Sequence, residues 1–264
     1  MAWNEELWDA QLRHAIGVRR LSSGQARRVL ALLEKSDDEL AEKLATRAAG
    51  DVLRNGNFTT KRFKLLSRDI ALMRKEVFAE ILAAHREELL KLSGAEQEFA
   101  KQLLEFYVPV RLEYAVASAA TLRALVTTQP FSGGANAART LAQWWERTAA
   151  VDQRRILDAV QLGMVQQEAI PSIVRRVVEG TDLTRVNAEA VVRTAVNHVS
   201  NASREAFFDE NAELIETLRW TSTLDGRTTA ICRARDGHFA PVGEHPAPEP
   251  RLEPPTARPP AHPG

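Results

Sequence analysis

The residue types best suited to chemistry lie close to the C-terminal end of the sequence. Asp225 and Asp236 each precede a glycine, and together with His238 they could hold a divalent cation and a water that attacks a phosphodiester. A metal-dependent DNA-processing enzyme is therefore one interpretation of this segment. Tight turns also require Asp-Gly pairs, and we favour that structural interpretation.

Soft metal ligands are few in this chain. Cys232 and His262 are weak candidates, because zinc sites use short, paired ligand spacings and the gaps here are irregular. As the single cysteine, Cys232 fits a small buried apolar group better. The sequence also contains no phosphate-cradling glycine loop and no nucleophile elbow. We predict no catalytic residue, no metal and no cofactor.

Positive charge is concentrated in two stretches, although the chain balances 35 basic residues against 35 acidic ones. Residues 10–33 contain five arginines and no acid, and residues 54–75 contain seven basic residues against Asp69 alone. Such surfaces bind double-stranded DNA without sequence preference, or an acidic protein partner. Asp37, Asp38, Glu39 and Glu42 could instead neutralise them. The candidates for nucleic-acid or partner contact are Arg13, Arg19, Arg20, Arg27, Arg28, Arg54, Lys61, Arg62, Lys64, Arg68, Arg74 and Lys75.

The elements that must position these residues are helices. Apolar residues recur with a period near 3.6 in residues 23–49 and again from Phe63 to Leu82, and we expect the second helix to stop near Ser93-Gly94. A third helix is predicted over residues 96–125, bent at Pro109. Further helices are predicted near 138–148, 152–165, 170–179 and 184–212, with Gly180 as a stop signal.

The break near Gln166-Gln167 leaves two interpretations. It could belong to a DNA-reading helix-turn-helix, which would make the protein a cellular DNA-binding regulator. The second helix begins Ile170-Pro171-Ser172, which is poorly suited to contact base edges. A packing corner between two helices is the favoured interpretation.

The last fifth of the chain differs in composition. Residues 218–223 favour a strand, residues 238–242 could pair with it, and nine of the twelve prolines lie between Pro241 and Gly264. We therefore predict a mainly α fold with an elongated multi-helix body, a small mixed α/β C-terminal module and a proline-rich extended tail. The predicted divisions are 1–128, 129–215, 216–243 and 244–264. No apolar stretch is long enough to cross a bilayer, so no membrane partner is expected.

The C-terminal series Trp220…Ser-Thr-Leu-Asp225-Gly226-Arg227-Thr…Cys232…Asp236-Gly237…His262-Pro resembles the head morphogenesis domain of the phage Mu F-like minor head proteins. Residues 130–180 and 192–204 resemble it as well. The resemblance implies structural roles for Trp220, Asp225, Gly226, Arg227, Cys232, Asp236, Gly237 and His262.

The resemblance also implies a function. It implies a non-enzymatic component of a bacteriophage virion, placed in the head interior or at the portal vertex and present in the host cytoplasm during assembly. Its implied partners are the portal protein, the major capsid or other head proteins, and double-stranded DNA during packaging or ejection. From the residues we further expect Trp220 to pack on the helix that ends near Ala212 and Asp225 to cap the Gly226 turn.

Overall fold

The computed structural model describes residues 2–55, 60–108, 110–132, 137–166, 168–222 and 228–243, without the side chains of residues 2–5, 47–55, 60–62 and 170. The described ranges contain six helices and one small two-stranded sheet, which confirms the predicted mainly α fold. None of the helices in these ranges combines the length and apolar character needed to cross a membrane. The elements are α1 (Ala2–Asn55), α2 (Thr60–Tyr107), α3 (Ala119–Thr127), α4 (Leu141–Val165), α5 (Ile170–Glu210), β1 (Thr217–Arg219), α6 (Ala230–Arg235) and β2 (Phe239–Pro241).

Two compact units are assembled from segments that are far apart in the sequence. The central unit comprises Ile16–Leu89 and Arg139–Val196. The terminal unit comprises Met1–Ala15, Leu90–Ala138 and Asn197–Gly264. Helices α1, α2 and α5 each contribute residues to both units. The division into four consecutive segments stays a prediction.

The core of the central unit is an apolar cluster to which four helices contribute. Within α1, α2 and α4 the contributing residues are four positions apart, which places both side chains on one face of the helix. The buried members are Leu40, Leu44, Leu66, Ile70, Ile156, Val160 and Val177. The residues that give α1 and α2 their apolar periodicity in the sequence therefore lie on the helix faces that pack into this core.

The terminal unit contains an extended segment where a helix was expected. The prediction of one helix over residues 96–125 was wrong: α2 ends at Tyr107 and α3 begins only at Ala119. Two amides bind the backbone between them. Asn211 accepts from the N–H of Ala115 at 2.8 Å and donates to its carbonyl at 2.9 Å, and Gln97 accepts from the N–H of Ala117 at 2.8 Å. These bonds replace the helical ones that the segment lacks. Pro109 lies outside the described residues.

Two expected helix ends were also wrong. Helix α2 continues through Ser93-Gly94, and α5 continues through Gly180. A helical glycine costs only about 1 kcal/mol relative to alanine. Buried residues follow both sites, Glu96 in α2 and Thr181 in α5, so tertiary packing on each side outweighs that local cost.

A close approach of α4 and α5 makes the junction between them a packing corner. The structure confirms a break near Gln166, with α4 ending at Val165 and α5 beginning at Ile170. A Cβ placed on Gly163 would lie 2.5 Å from Cγ1 of Ile173, which is closer than van der Waals contact allows. The Gly163 carbonyl also accepts from the Glu168 N–H at 2.9 Å.

This corner leads to a first prediction. Gly163→Ala should lower the free energy of unfolding by about 1–3 kcal/mol, because Ile173 must leave its position to make room for the new methyl group. Urea unfolding followed by circular dichroism measures the loss. Gly94→Ala is the matched control, since a Cβ there meets nothing within 4 Å. Gly94→Ala should be more stable than the wild type by up to about 1 kcal/mol, because alanine favours the helix. If Gly163→Ala shows no loss of stability, the corner is not close-packed.

The C-terminal end contains the predicted small α/β element. Strands β1 and β2 pair antiparallel, with Thr217 opposite Pro241, Leu218 opposite Ala240 and Arg219 opposite Phe239. Helix α6 lies between them in the chain, and Thr229 caps its first turn by accepting from the Cys232 N–H at 3.2 Å.

Candidate functional site

The C-terminal module, defined here as the described residues 216–222 and 228–243, is held together by its own motif side chains. Asp236 Oδ1 accepts from the backbone N–H of Ser222 at 2.8 Å. Ser222 Oγ donates to the Cys232 carbonyl at 2.7 Å, and the Trp220 indole N–H donates to Ser222 Oγ at 3.0 Å. One serine therefore joins the end of β1 to α6 and to the turn that follows it.

Gly237 allows this turn to close. Its φ is +80°, which L side chains rarely adopt, and its N–H donates to the Trp220 carbonyl at 2.9 Å. The guanidinium of Arg235 lies over the Trp220 ring, 5.4 Å from the centroid. Trp220 is thus held by neighbours within the module. Its packing against the end of α5 stays a prediction.

The Asp236–Ser222 bond leads to a second prediction. Asp236→Ala should leave the Ser222 N–H without an acceptor, which costs about 1–3 kcal/mol locally. Hydrogen exchange measured by mass spectrometry should become about 5- to 100-fold faster in peptides covering 217–241. Exchange in α4 should not change. Glu213→Ala, at an exposed position just before the module, is the control. Equal exchange rates in the two variants would show that the Asp236–Ser222 hydrogen bond does not stabilise the module.

Of the three residues of the hydrolytic site considered from sequence, the structure describes two, Asp236 and His238. Asp236 already binds a backbone amide, and His238 is exposed. No group of three or more His, Cys, Asp or Glu residues able to hold a metal occurs in the described part of the chain. Cys232 is half-buried with a free thiol. Four other motif residues lie outside the described residues: Asp225, Gly226, Arg227 and His262.

Most of the predicted basic contacts lie on the surface. The exposed ones are Arg13, Arg19, Arg20, Arg27, Arg28, Lys64, Arg68 and Lys75. Arg28 is bound to Glu88 at 3.2 Å. The side chains of Arg54, Lys61 and Arg62 lie outside the described residues.

Arg74 is a correction to that set, because it is 1% exposed and cannot contact DNA or a partner. Its Nε donates to Asp152 Oδ2 at 2.5 Å, and its Nη1 donates to Asp37 Oδ1 at 2.8 Å and to Ser36 Oγ at 3.0 Å. Arg185 donates to the other oxygen of Asp37 at 3.0 Å. These five residues, termed the Arg74 cluster, form a polar group inside the central unit, in which all but the partly exposed Arg185 are buried.

The charges of the Arg74 cluster compensate one another. Burial alone lowers the pKa of Arg74, but the hydrogen bonds and negative charges of Asp152 and Asp37 outweigh it, so that the pKa is raised. The sequence held a signal that could have revealed this. Arg74 lies four residues after Ile70 and three before Val77, on the stripe that faces the core.

A second buried charge lies in the terminal unit. Glu96 is fully buried and binds His14 of α1 at 3.0 Å, and on α5 it binds Ser200 at 2.8 Å and Arg204 at 2.9 Å. Burial raises the pKa of Glu96, yet the hydrogen bonds and charges of these partners reverse the effect and lower it. The His14 ring also stacks on Phe99 at 3.6 Å between centroids. Glu96 thus ties three helical segments of the unit together.

The central unit also contains a buried histidine that is uncharged. The Trp145 indole N–H donates to His85 Nδ1 at 3.2 Å, so Nδ1 carries no proton. Burial lowers the pKa of His85 to about 4. Both the geometry and the pKa therefore hold His85 neutral at physiological pH.

These features define a class: a predominantly helical protein with buried polar clusters and a small α/β module whose motif residues bind one another. Residues 151–263 match the family model described as Phage Mu protein F like protein, which confirms the resemblance seen in the sequence. That family is one of structural, phage head-related proteins. Comparisons with curated proteins and with solved structures found no match. The matched range includes α5, most of α4 and the module.

Proposed function

We propose that this protein is a minor structural component of a tailed-bacteriophage head, located at the portal vertex or in the capsid interior. It acts through contacts with the portal protein and with other head proteins, and it performs no catalysis. Its site of action is the virion, which it enters after synthesis and assembly in the host cytoplasm.

One observation carries this proposal. Four residues of the motif that resembles the phage Mu F-like proteins, Trp220, Cys232, Asp236 and Gly237, lie in the module, where hydrogen bonds through Ser222 join Trp220, Cys232 and Asp236 to one another. These hydrogen bonds join one part of the module to another. Such an arrangement supports a preformed docking element and gives no support to a reactive centre.

Nonspecific DNA contact is a second part of the proposal. Arg20 and Arg27 are exposed and seven residues apart on α1, which places them on one face of the helix, and Arg19 is exposed beside them. A row of arginines at this spacing can contact successive phosphates without reading bases. The α2 cations share their face with leucines and are considered below.

Purified virions test the head assignment directly. We expect the protein to be present in few copies per particle by quantitative mass spectrometry, and to co-sediment with assembled portal rings. Asp236→Ala should weaken the co-sedimentation, because it loosens the module, whereas Glu213→Ala should not. If virions from an infection that expresses the protein do not contain it, the proposal fails.

DNA binding is tested by titration at several salt concentrations. We expect affinity that is equal for unrelated duplexes and that falls steeply with salt. The variant R19E/R20E/R27E should reduce the slope of log K against log salt by about 3, because each of the three arginines neutralises one phosphate. Sequence-specific binding would favour a cellular regulator instead. DNA cleavage in the presence of Mg²⁺ that is abolished in Asp236→Ala would favour a nuclease.

A further inference from the structure

One exposed face of α2 combines cations with leucines and faces away from the core. It consists of Lys64, Leu65, Arg68, Leu72 and Lys75, termed the basic face, and all five residues are exposed. At about 100° per residue these positions span one side of the helix. The opposite side carries Leu66, Ile70 and Val77, which are buried. The basic face is therefore the outer surface of α2 in the central unit.

The leucines of this face indicate a protein partner. Leu65 is 50% exposed and Leu72 is 58% exposed, and they lie seven residues apart with Arg68 between them, the spacing of a helix–helix seam. Among the described residues, Lys64, Arg68 and Lys75 form no ion pair. A DNA backbone would satisfy the cations but would leave both leucines against phosphates. A helix that offers carboxylates and small apolar side chains satisfies both groups.

Helix α1 of the same unit presents such a surface. Glu34, Asp38 and Glu42 follow one another at intervals of four residues, and Ala31 and Ala45 lie on the same side. All five are exposed, and they are termed the acidic face. The three acids form no ion pair within the described part of the chain. The alanines leave room for leucine side chains between the carboxylates.

We propose that the acidic face of one molecule docks on the basic face of a second copy of the same chain. The two faces are complementary in charge, while the formal net charge of the whole chain is +0, so long-range repulsion between copies is small. Because the two faces differ, the contact is head-to-tail, and it leads to a ring or to a growing series of oligomers. This self-association does not require the head assignment to be correct.

Charge reversal on the purified full-length protein tests the contact. In sedimentation velocity at low salt, the wild type should form oligomers beyond the dimer as its concentration rises, and 0.5 M NaCl should reduce them. K64E/R68E/K75E and E34K/D38K/E42K should each associate at least about tenfold more weakly. An equimolar mixture of the two variants should associate again, because each then offers the face that the other needs. A chain that carries all six substitutions should also self-associate.

Matched controls isolate the two faces. R123E/R147E/R154E makes the same change in net charge at exposed positions outside both faces and should associate like the wild type. L65S/L72S should weaken association while leaving every charge in place. The proposal is overturned by a wild type that remains monomeric at all concentrations, or by a mixture of the reversed variants that fails to associate. DNA titration of K64E/R68E/K75E separates the two roles: a loss of DNA affinity without a change in association would also overturn it.

Discussion

Replacing Arg74 with methionine is expected to lower the free energy of unfolding by about 3–5 kcal/mol. The substitution removes the cation that neutralises two buried carboxylates, Asp37 and Asp152, which are 3% and 1% exposed. Arg185 still contacts Asp37, but no cation among the described residues then binds Asp152. A buried charge without a partner is among the most destabilising changes that a single substitution can make. Urea unfolding monitored by circular dichroism measures the effect.

Two companion variants separate loss of the ion pair from loss of packing. Lys75→Met is the matched control on the next residue of α2, and because Lys75 is exposed it should change stability by less than about 0.5 kcal/mol. The double variant R74M/D152L should be more stable than R74M alone, since it removes the orphaned carboxylate as well. If adding D152L instead lowers stability further, Asp152 does not depend on Arg74.

Acid should destabilise the protein through His85 in a defined pH range. The folded-state pKa of His85 is lowered to about 4, whereas an unfolded histidine titrates near 6.5. As pH falls from about 6.5 to about 4, the unfolded state takes up this proton first and is stabilised relative to the fold. The contribution of the neutral His85 to the free energy of unfolding is on the order of 3 kcal/mol. It is fully present above about pH 6.5 and is lost by about pH 4.

A non-titrating variant isolates this contribution from that of other groups. In His85→Gln the side-chain oxygen can still accept from the Trp145 indole, but no proton is taken up. Unfolding free energies measured between pH 7.5 and pH 4 should show the wild type losing on the order of 3 kcal/mol more than the variant across this range. Parallel curves for the two proteins would show that His85 is not held neutral by the fold.

Local sequence signals predicted the secondary structure well where one face of an element is apolar. The stripes containing Leu40 in α1 and Ile70 in α2 predicted helices, and the β-forming residues near Leu218 predicted the strand that the structure contains. The Asp236-Gly237 pair predicted a turn, and the structure has a turn there with Gly237 at φ +80°. In each case the decisive information lies within a few neighbouring residues.

The errors share a cause, which is that distant residues overruled a local signal. Ser93-Gly94 is a plausible helix end on its own, yet the Glu96 that follows is buried against α1 and α5, and the helix continues. The opposite happened at Ala115, where Asn211 binds the backbone 96 residues away and holds it extended. Neither partner can be recognised from the residues next to it.

By itself the sequence determined the helical class, the location of the small α/β module and the family resemblance, because periodicity and an ordered motif are properties of the chain alone. Only the tertiary structure decided which charges are available to a partner. Arg74 and Lys75 are adjacent in sequence and identical in formal charge, but one turns towards Asp37 and Asp152 and the other towards solvent. A helix turns about 100° per residue, so neighbours face different surroundings, and those surroundings are supplied by other helices.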